Sequence, residues 1–130
     1  MATKPTNLRH LDIDQGSSKD FIFTITTDGE PPAPFDLTGY TARAQVRRSY
    51  GAKDGVLINC TLANGKLVLT DVAGGVLTLS LAPEDTSLIL FADKEDAVLV
   101  CVYDLEIISP TGDVYKPARG NLTLHREVTR

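Results

Sequence analysis

The stretch Ala97-Val98-Leu99-Val100-Cys101-Val102-Tyr103-Asp104-Leu105-Glu106-Ile107-Ile108 carries the strongest pattern in the chain. Successive side chains of a β-strand point to opposite faces. Leu99, Cys101, Tyr103, Leu105 and Ile107 therefore share one face. On the other face Val98, Val100 and Val102 make the first half of the strand apolar on both sides, while Asp104 and Glu106 expose the second half. A strand that is apolar on both sides at one end is expected to meet another subunit or a loop there.

The same period of two recurs outward from this strand, and turn residues punctuate it. Downstream, Pro110-Thr111-Gly112-Asp113 reads as a hairpin turn. The chain returns through Val114 and Tyr115, and Gly120 precedes a final strand from Leu122 to Val128. Upstream, the segment from Pro83 to Phe91 lacks alternation and opens with Pro, Glu and Asp, which suit a first helical turn. One or two helical turns are expected there, across an end of the fold. Gly74-Gly75 leads into Val76 to Leu81, where Leu77, Leu79 and Leu81 alternate with Thr78 and Ser80. Asn64-Gly65 favours a two-residue type I′ loop. That loop predicts a hairpin pairing Leu62 with Leu67 and Cys60 with Leu69. Thr41 to Arg48 places Ala42, Ala44 and Val46 inward, and Asp20 to Thr27 does the same with Phe21, Phe23 and Ile25.

The strands number about eight or nine, with one short helical turn near residues 83–91 and turn signals every ~8–12 residues. The fold class is all-β: a single antiparallel β-sandwich, immunoglobulin-like or jelly-roll-like. One domain is expected over residues 1–130, with residues 1–7 as a flexible N-terminal arm. The run Glu30-Pro31-Pro32-Ala33-Pro34 reads as a rigid loop, because strands flank it closely.

Composition bounds the function. Hydrophobic residues make up 42% and charged residues 23% of the 130, which is globular rather than disordered. A net charge of −4, with Arg43, Arg47 and Arg48 as the only basic cluster, argues against a nucleic-acid partner, which needs a basic face. No apolar run approaches the ~18 residues of a membrane span, so no membrane partner is expected. The polar start carries no secretory signal, so folding in a cytoplasm is expected. Cys60 and Cys101 lack any metal-ligand spacing and read as two buried free thiols.

Each candidate for chemistry has a plainer reading beside it. His10, Asp12 and Asp14 alternate and would share a strand face, as cation ligands might. A metal site needs more ligands in fixed geometry, and an edge strand with Leu11 and Ile13 inward explains the pattern. His125 would need a Ser or Cys on a sharp turn to act as a catalytic base, and no Gly-x-Ser-x-Gly exists. It reads as a buried or rim histidine. Asp104 and Glu106 share one strand face, whereas glycosidase carboxylates face each other across a cleft. No catalytic, cofactor-binding or metal-binding residue is assigned, no cofactor is expected, and an enzyme is the least favoured class. The candidate interaction surface is Val98, Val100 and Val102 together with Pro31, Pro32 and Pro34.

Several phrases, in their order and spacing, resemble a known family. Phe35-Asp36-Leu37-Thr38-Gly39-Tyr40 leads into Thr41-Ala42-Arg43-Ala44-Gln45-Val46-Arg47. Gly74-Gly75-Val76-Leu77-Thr78-Leu79 and Tyr103-Asp104-Leu105-Glu106-Ile107 follow. Gly120-Asn121-Leu122-Thr123-Leu124 and Val128-Thr129-Arg130 close the chain. This series resembles small tail-associated virion proteins of tailed bacteriophages and is similar to the N-terminal immunoglobulin-like domain of phage upper baseplate proteins. The resemblance covers residues 19–130. It implies a non-enzymatic structural virion protein, assembled in the host cytoplasm, that anchors fibres or receptor-binding proteins to a tail or baseplate. Its partners would be other virion proteins, including further copies of itself. A capsid cement protein and a carbohydrate-binding adhesin stay open as alternatives. The adhesin has little support, since there is no Trp and Tyr40, Tyr50, Tyr103 and Tyr115 are scattered.

Overall fold

The alternation read from the sequence becomes strands in the computed structural model, which describes residues 7–51, 55–89, 91 and 96–127. In chain order these are β1 (Asn7–Leu8), β2 (Leu11–Asp14), β3 (Lys19–Thr24), β4 (Thr41–Arg47), β5 (Ile58–Thr61), β6 (Leu67–Asp71), β7 (Val76–Leu81), α1 (Pro83–Ser87), β8 (Val98–Ile108) and β9 (Val114–His125). One sheet runs β1-β9-β8-β4-β5, with β2 also on β9, and the other runs β3-β7-β6. Lettered as immunoglobulin strands, β3, β7 and β6 are B, E and D, while β9, β8, β4 and β5 are G, F, C and C′. The protein is therefore an all-β sandwich with immunoglobulin-like strand order, which decides between the two architectures left open by the sequence.

The inward residues are those the alternation selected. Phe21, Phe23, Ala42, Ala44, Val46, Leu77, Leu79, Leu81, Cys101, Tyr103, Leu105 and Ile107 are all buried in one core between the sheets. Residues of the intervening segments complete it: Phe35 and Leu37 are fully buried, and the Phe35 ring meets Tyr40 and Tyr115 edge-on. The helix keeps the expected place but spans only Pro83–Ser87. Its Asp85 carboxylate accepts from the Ala82 amide at 2.7 Å and pairs with Lys66 at 2.6 Å, so the helix is tied to the turn before β6.

Three sequence expectations are corrected. First, Asn64-Gly65 is not a type I′ hairpin. β5 pairs with β4 and β6 pairs with β7, so this turn carries the chain from one sheet to the other. Among the described residues none other than glycine has positive φ, which a type I′ turn requires at Asn64. Asn64 acts through its side chain instead. Its Oδ1 accepts from the Thr61 and Lys66 amides and its Nδ2 donates to the Asn59 carbonyl. Those bonds take up backbone groups that a hairpin ladder would use. The alternation is the same in either case, so Cys60 and Leu67 are still buried.

Second, the sheets are not purely antiparallel, because β1 and β2 run parallel to β9. Third, Gly120 lies inside β9, which is one continuous strand rather than a short return followed by a final strand. β1 and β2 follow β9 in one register, Asn7 beside Ala118 and Leu11 beside Leu122, and between them a Cβ on Gly120 would collide with the Arg9 carbonyl oxygen. Glycine there permits close approach of two backbones. The expected arm at residues 1–7 and the expected strand end at Val128 lie outside the described residues, apart from Asn7, which pairs with Ala118.

Candidate interaction surface

Val98, Val100 and Val102 point away from the core, on the outer face of the larger sheet. Val98 is 44% and Val100 49% exposed, and Val102 is half-buried. The ladder explains the difference. β4 ends at Arg47, which pairs with Val102, so Val98 and Val100 extend past β4 and, among the described residues, have a strand neighbour only in β9. There Val98 faces His125, Val100 faces Thr123 and Val102 faces Asn121. Beyond β9, Asp14 lies beside His125 and Asp12 beside Thr123 on β2. The upper half of this face is thus a short valine strip with a carboxylate-bearing edge on one side and Arg47 on the other.

The lower half carries two ion pairs and the exposed Arg119. Arg43 pairs with Glu106 at 2.8 Å, and Lys116 with Asp104 at 3.5 Å. The Glu106 contact raises the Arg43 guanidinium further above its ordinary value. Asp104 and Glu106 therefore sit on one open face, each beside a cation, not across a cleft. Beside the valine strip, Gln45, Arg47, Tyr50, Val102, Tyr103 and Asp104 line a depression of about 170 Å³. Small-molecule sites typically enclose roughly 300–1,000 Å³.

His125 lies at the rim. Its Nε2 is 2.7 Å from Asp12 Oδ1, an ion pair when the ring is protonated, and both side chains are well exposed. His10 is engaged elsewhere, accepting at Nδ1 from the Asn121 amide. Leu11 and Ile13 are buried and Asp12 and Asp14 exposed, the pattern of an edge strand. Among the described residues no three of His, Cys, Asp and Glu converge. Cys60 and Cys101 are free and buried. Burial pushes the Cys60 thiol up to about 12 and raises Cys101 as well.

Pro31, Pro32 and Pro34 are exposed, in a loop pinned by Thr27, whose amide donates to the Ala33 carbonyl and whose Oγ1 accepts from the Ala33 amide. This loop precedes β4, whose first residue Thr41 pairs with Ile108 at the far end of β8 from Val98. The structure therefore does not bring the two halves of the predicted surface together; they occupy opposite ends of the sandwich. On the outer face of the smaller sheet, Ile22 and Val68 are 59% and 46% exposed, each opposite Thr78.

Sequence reasoning passed over Arg9, Gln15 and Thr86. Buried Gln15 donates from Nε2 to the carbonyls of Thr86, Ser87 and Ile89 and accepts at Oε1 from the Glu127 amide. Thr86 Oγ1 accepts from the Gly16 amide. These are single polar residues with no periodic signal. The one cue is that Gln15 continues the inward alternation of Leu11 and Ile13.

No protein-family model matches this chain, and no curated protein matches it. Among solved structures the chain is similar to murine CRIg, at 12% identity and a TM-score of 0.38, over 96% of this chain and 94% of that one. It is also similar to AggA, the major subunit of aggregative adherence fimbriae type I from Escherichia coli (12%, TM-score 0.34, 97% and 92%). A third is ACE19, the collagen-binding subdomain of the Enterococcus faecalis surface protein ACE (11%, TM-score 0.27, 89% and 93%). Likenesses this distant say nothing of function, and the fold assignment rests on the strand order itself.

Proposed function

We propose that this protein is a non-enzymatic adaptor of a tailed-phage virion, joining tail, baseplate or fibre subunits through protein–protein contacts. The observation that carries the binding role is the pair Val98 and Val100, about half exposed side by side on a rigid sheet. β-branched apolar side chains on an exposed sheet face gain by being covered, at ~25 cal/mol per Å² of apolar area removed from water. The core behind them is filled, and the adjoining depression is small for a substrate. The resemblance of residues 19–130 to phage tail proteins supplies the assembly in which the contact is made. The Pro31–Pro34 loop at the opposite end offers a second contact, which suits a module that bridges two neighbours.

The test is co-purification of the tagged chain with tail and fibre proteins encoded beside its gene. Wild type should form a defined complex, and Val100→Asp should lose it while keeping the wild-type circular-dichroism spectrum and cooperative unfolding. A chain that binds none of these proteins, and instead cleaves a cell-wall or capsule polysaccharide, overturns the reading.

A further inference from the structure

We infer that the valine strip is closed by a second copy of this chain, in a two-fold dimer whose sheets cross nearly at right angles. The inference rests on the reading of Val98 and Val100 as a contact surface and names its occupant.

The argument is charge complementarity about Val100. Arg47, at the end of β4, has one described partner, the neutral Gln45 Oε1 at 3.3 Å. The exposed carboxylate of Asp14 has no partner among the described residues. These two groups flank the strip on opposite sides: Arg47 lies one strand over and opposite Val102, Asp14 two strands over and level with Val98. With strands ~4.8 Å apart and ~3.4 Å per residue, Arg47 is about 8 Å from Val100 and Asp14 about 12 Å, in nearly opposite directions. A two-fold axis through Val100, inclined about 45° to the strands, then carries Arg47 of one copy over Asp14 of the other, about 4 Å away in projection on the sheet plane, and the two side chains span the ~10 Å between stacked sheets. Both ion pairs form at once, because a two-fold contact repeats itself. Val100 meets its own copy on the axis, and Val98 packs beside it. Strands inclined 45° to the axis cross at about 90°, one of the two ordinary ways for sheets to stack. The lower half of the face holds Arg43–Glu106 and Asp104–Lys116 as formed pairs, with the exposed Arg119 beside Asp104, and among the described residues it has no free carboxylate across the strip to answer that cation.

Sedimentation equilibrium on the full chain and its variants tests this. Wild type should be dimeric. Arg47→Asp and Asp14→Arg should each weaken the dimer at least tenfold, and the double variant should recover most of the loss. Arg47 and Asp14 lie outside the core, so these variants keep the test valid even where Val100→Asp fails to fold. Val100→Cys should be shielded from a maleimide in the dimer, whereas Ile22→Cys, at a position 59% exposed on the other sheet, should label at once. A wild type that remains monomeric at millimolar concentration overturns the inference. So does a dimer that neither charge reversal weakens. A monomer whose Val100→Asp variant loses its tail-protein contact overturns the dimer and leaves the adaptor reading standing. A dimer weakened as expected, yet binding no tail protein, supports the dimer and removes the adaptor reading.

Discussion

The phenol of Tyr103 donates a hydrogen bond to the carbonyl oxygen of Arg9 at 2.7 Å, joining the middle of β8 to the step between β1 and β2 alongside β9. Tyr103 is paired with Gly120, the residue over which Arg9 passes. The Arg9 amide donates to the Arg119 carbonyl, and its guanidinium reaches the Ile22 carbonyl at 2.6 Å while lying 4.5 Å from the Phe23 ring centroid. One residue thus ties the larger sheet to the edge of the smaller one. Tyr103→Phe removes only the donor. It should cost about 1 kcal/mol in urea unfolding, and the Arg9 amide should exchange faster than in wild type.

Gly120→Ala should be far more damaging than Gly65→Val, although both replace a glycine. Gly65 has a φ of +79° and open space around its missing Cβ, so only backbone strain is added. That strain is worth about 1–2 kcal/mol. At Gly120 the new methyl would press on the Arg9 backbone, and the segment between β1 and β2 must move off β9. Denaturation midpoints of the two variants measure the contrast; equal losses would show that the contact of Arg9 with Gly120 is loose.

Gln15→Leu keeps approximate size and removes the polar hub between β2, α1 and the chain after β9. The carbonyls of Thr86, Ser87 and Ile89 lose a shared donor. The expected cost is about 1–3 kcal/mol. It should appear first as faster amide exchange at Gly16 and Glu127, ahead of global unfolding.

The thiols should resist labelling in the native state and react fully in denaturant. Cys60 is pushed to about 12 and Tyr103 to about 12, both by burial that disfavours the anion. The unfolded chain therefore releases these protons at lower pH than the folded one. Their effect on stability is nil below about pH 9, the ordinary thiol range. Stability should fall as pH rises from there toward 12. A pH series of urea midpoints checks the sign, and Cys60→Ala should flatten the first part of the decline.

The residues that build the core, and the face each strand turns to it, were legible from period-two alternation alone. That is because burial of one face of a strand is written into every second residue, as in Leu99, Cys101, Tyr103, Leu105 and Ile107. The exposed valine strip was legible for the same reason. Which strand lies beside which was not legible. Cys60 and Leu67 are buried whether Asn64-Gly65 closes a hairpin or hands the chain to the other sheet, so the hydrophobic pattern is blind to the choice. Only the tertiary structure decided it, through the edges that β4 and β7 offer and the side-chain bonds of Asn64. The parallel docking of β2 on β9, the passage of Arg9 over Gly120 and the placing of Asp14 and Arg47 on either side of Val100 are likewise long-range pairings. They join residues distant along the chain through backbone hydrogen bonds, which every residue but proline can make and which therefore leave no mark in the sequence.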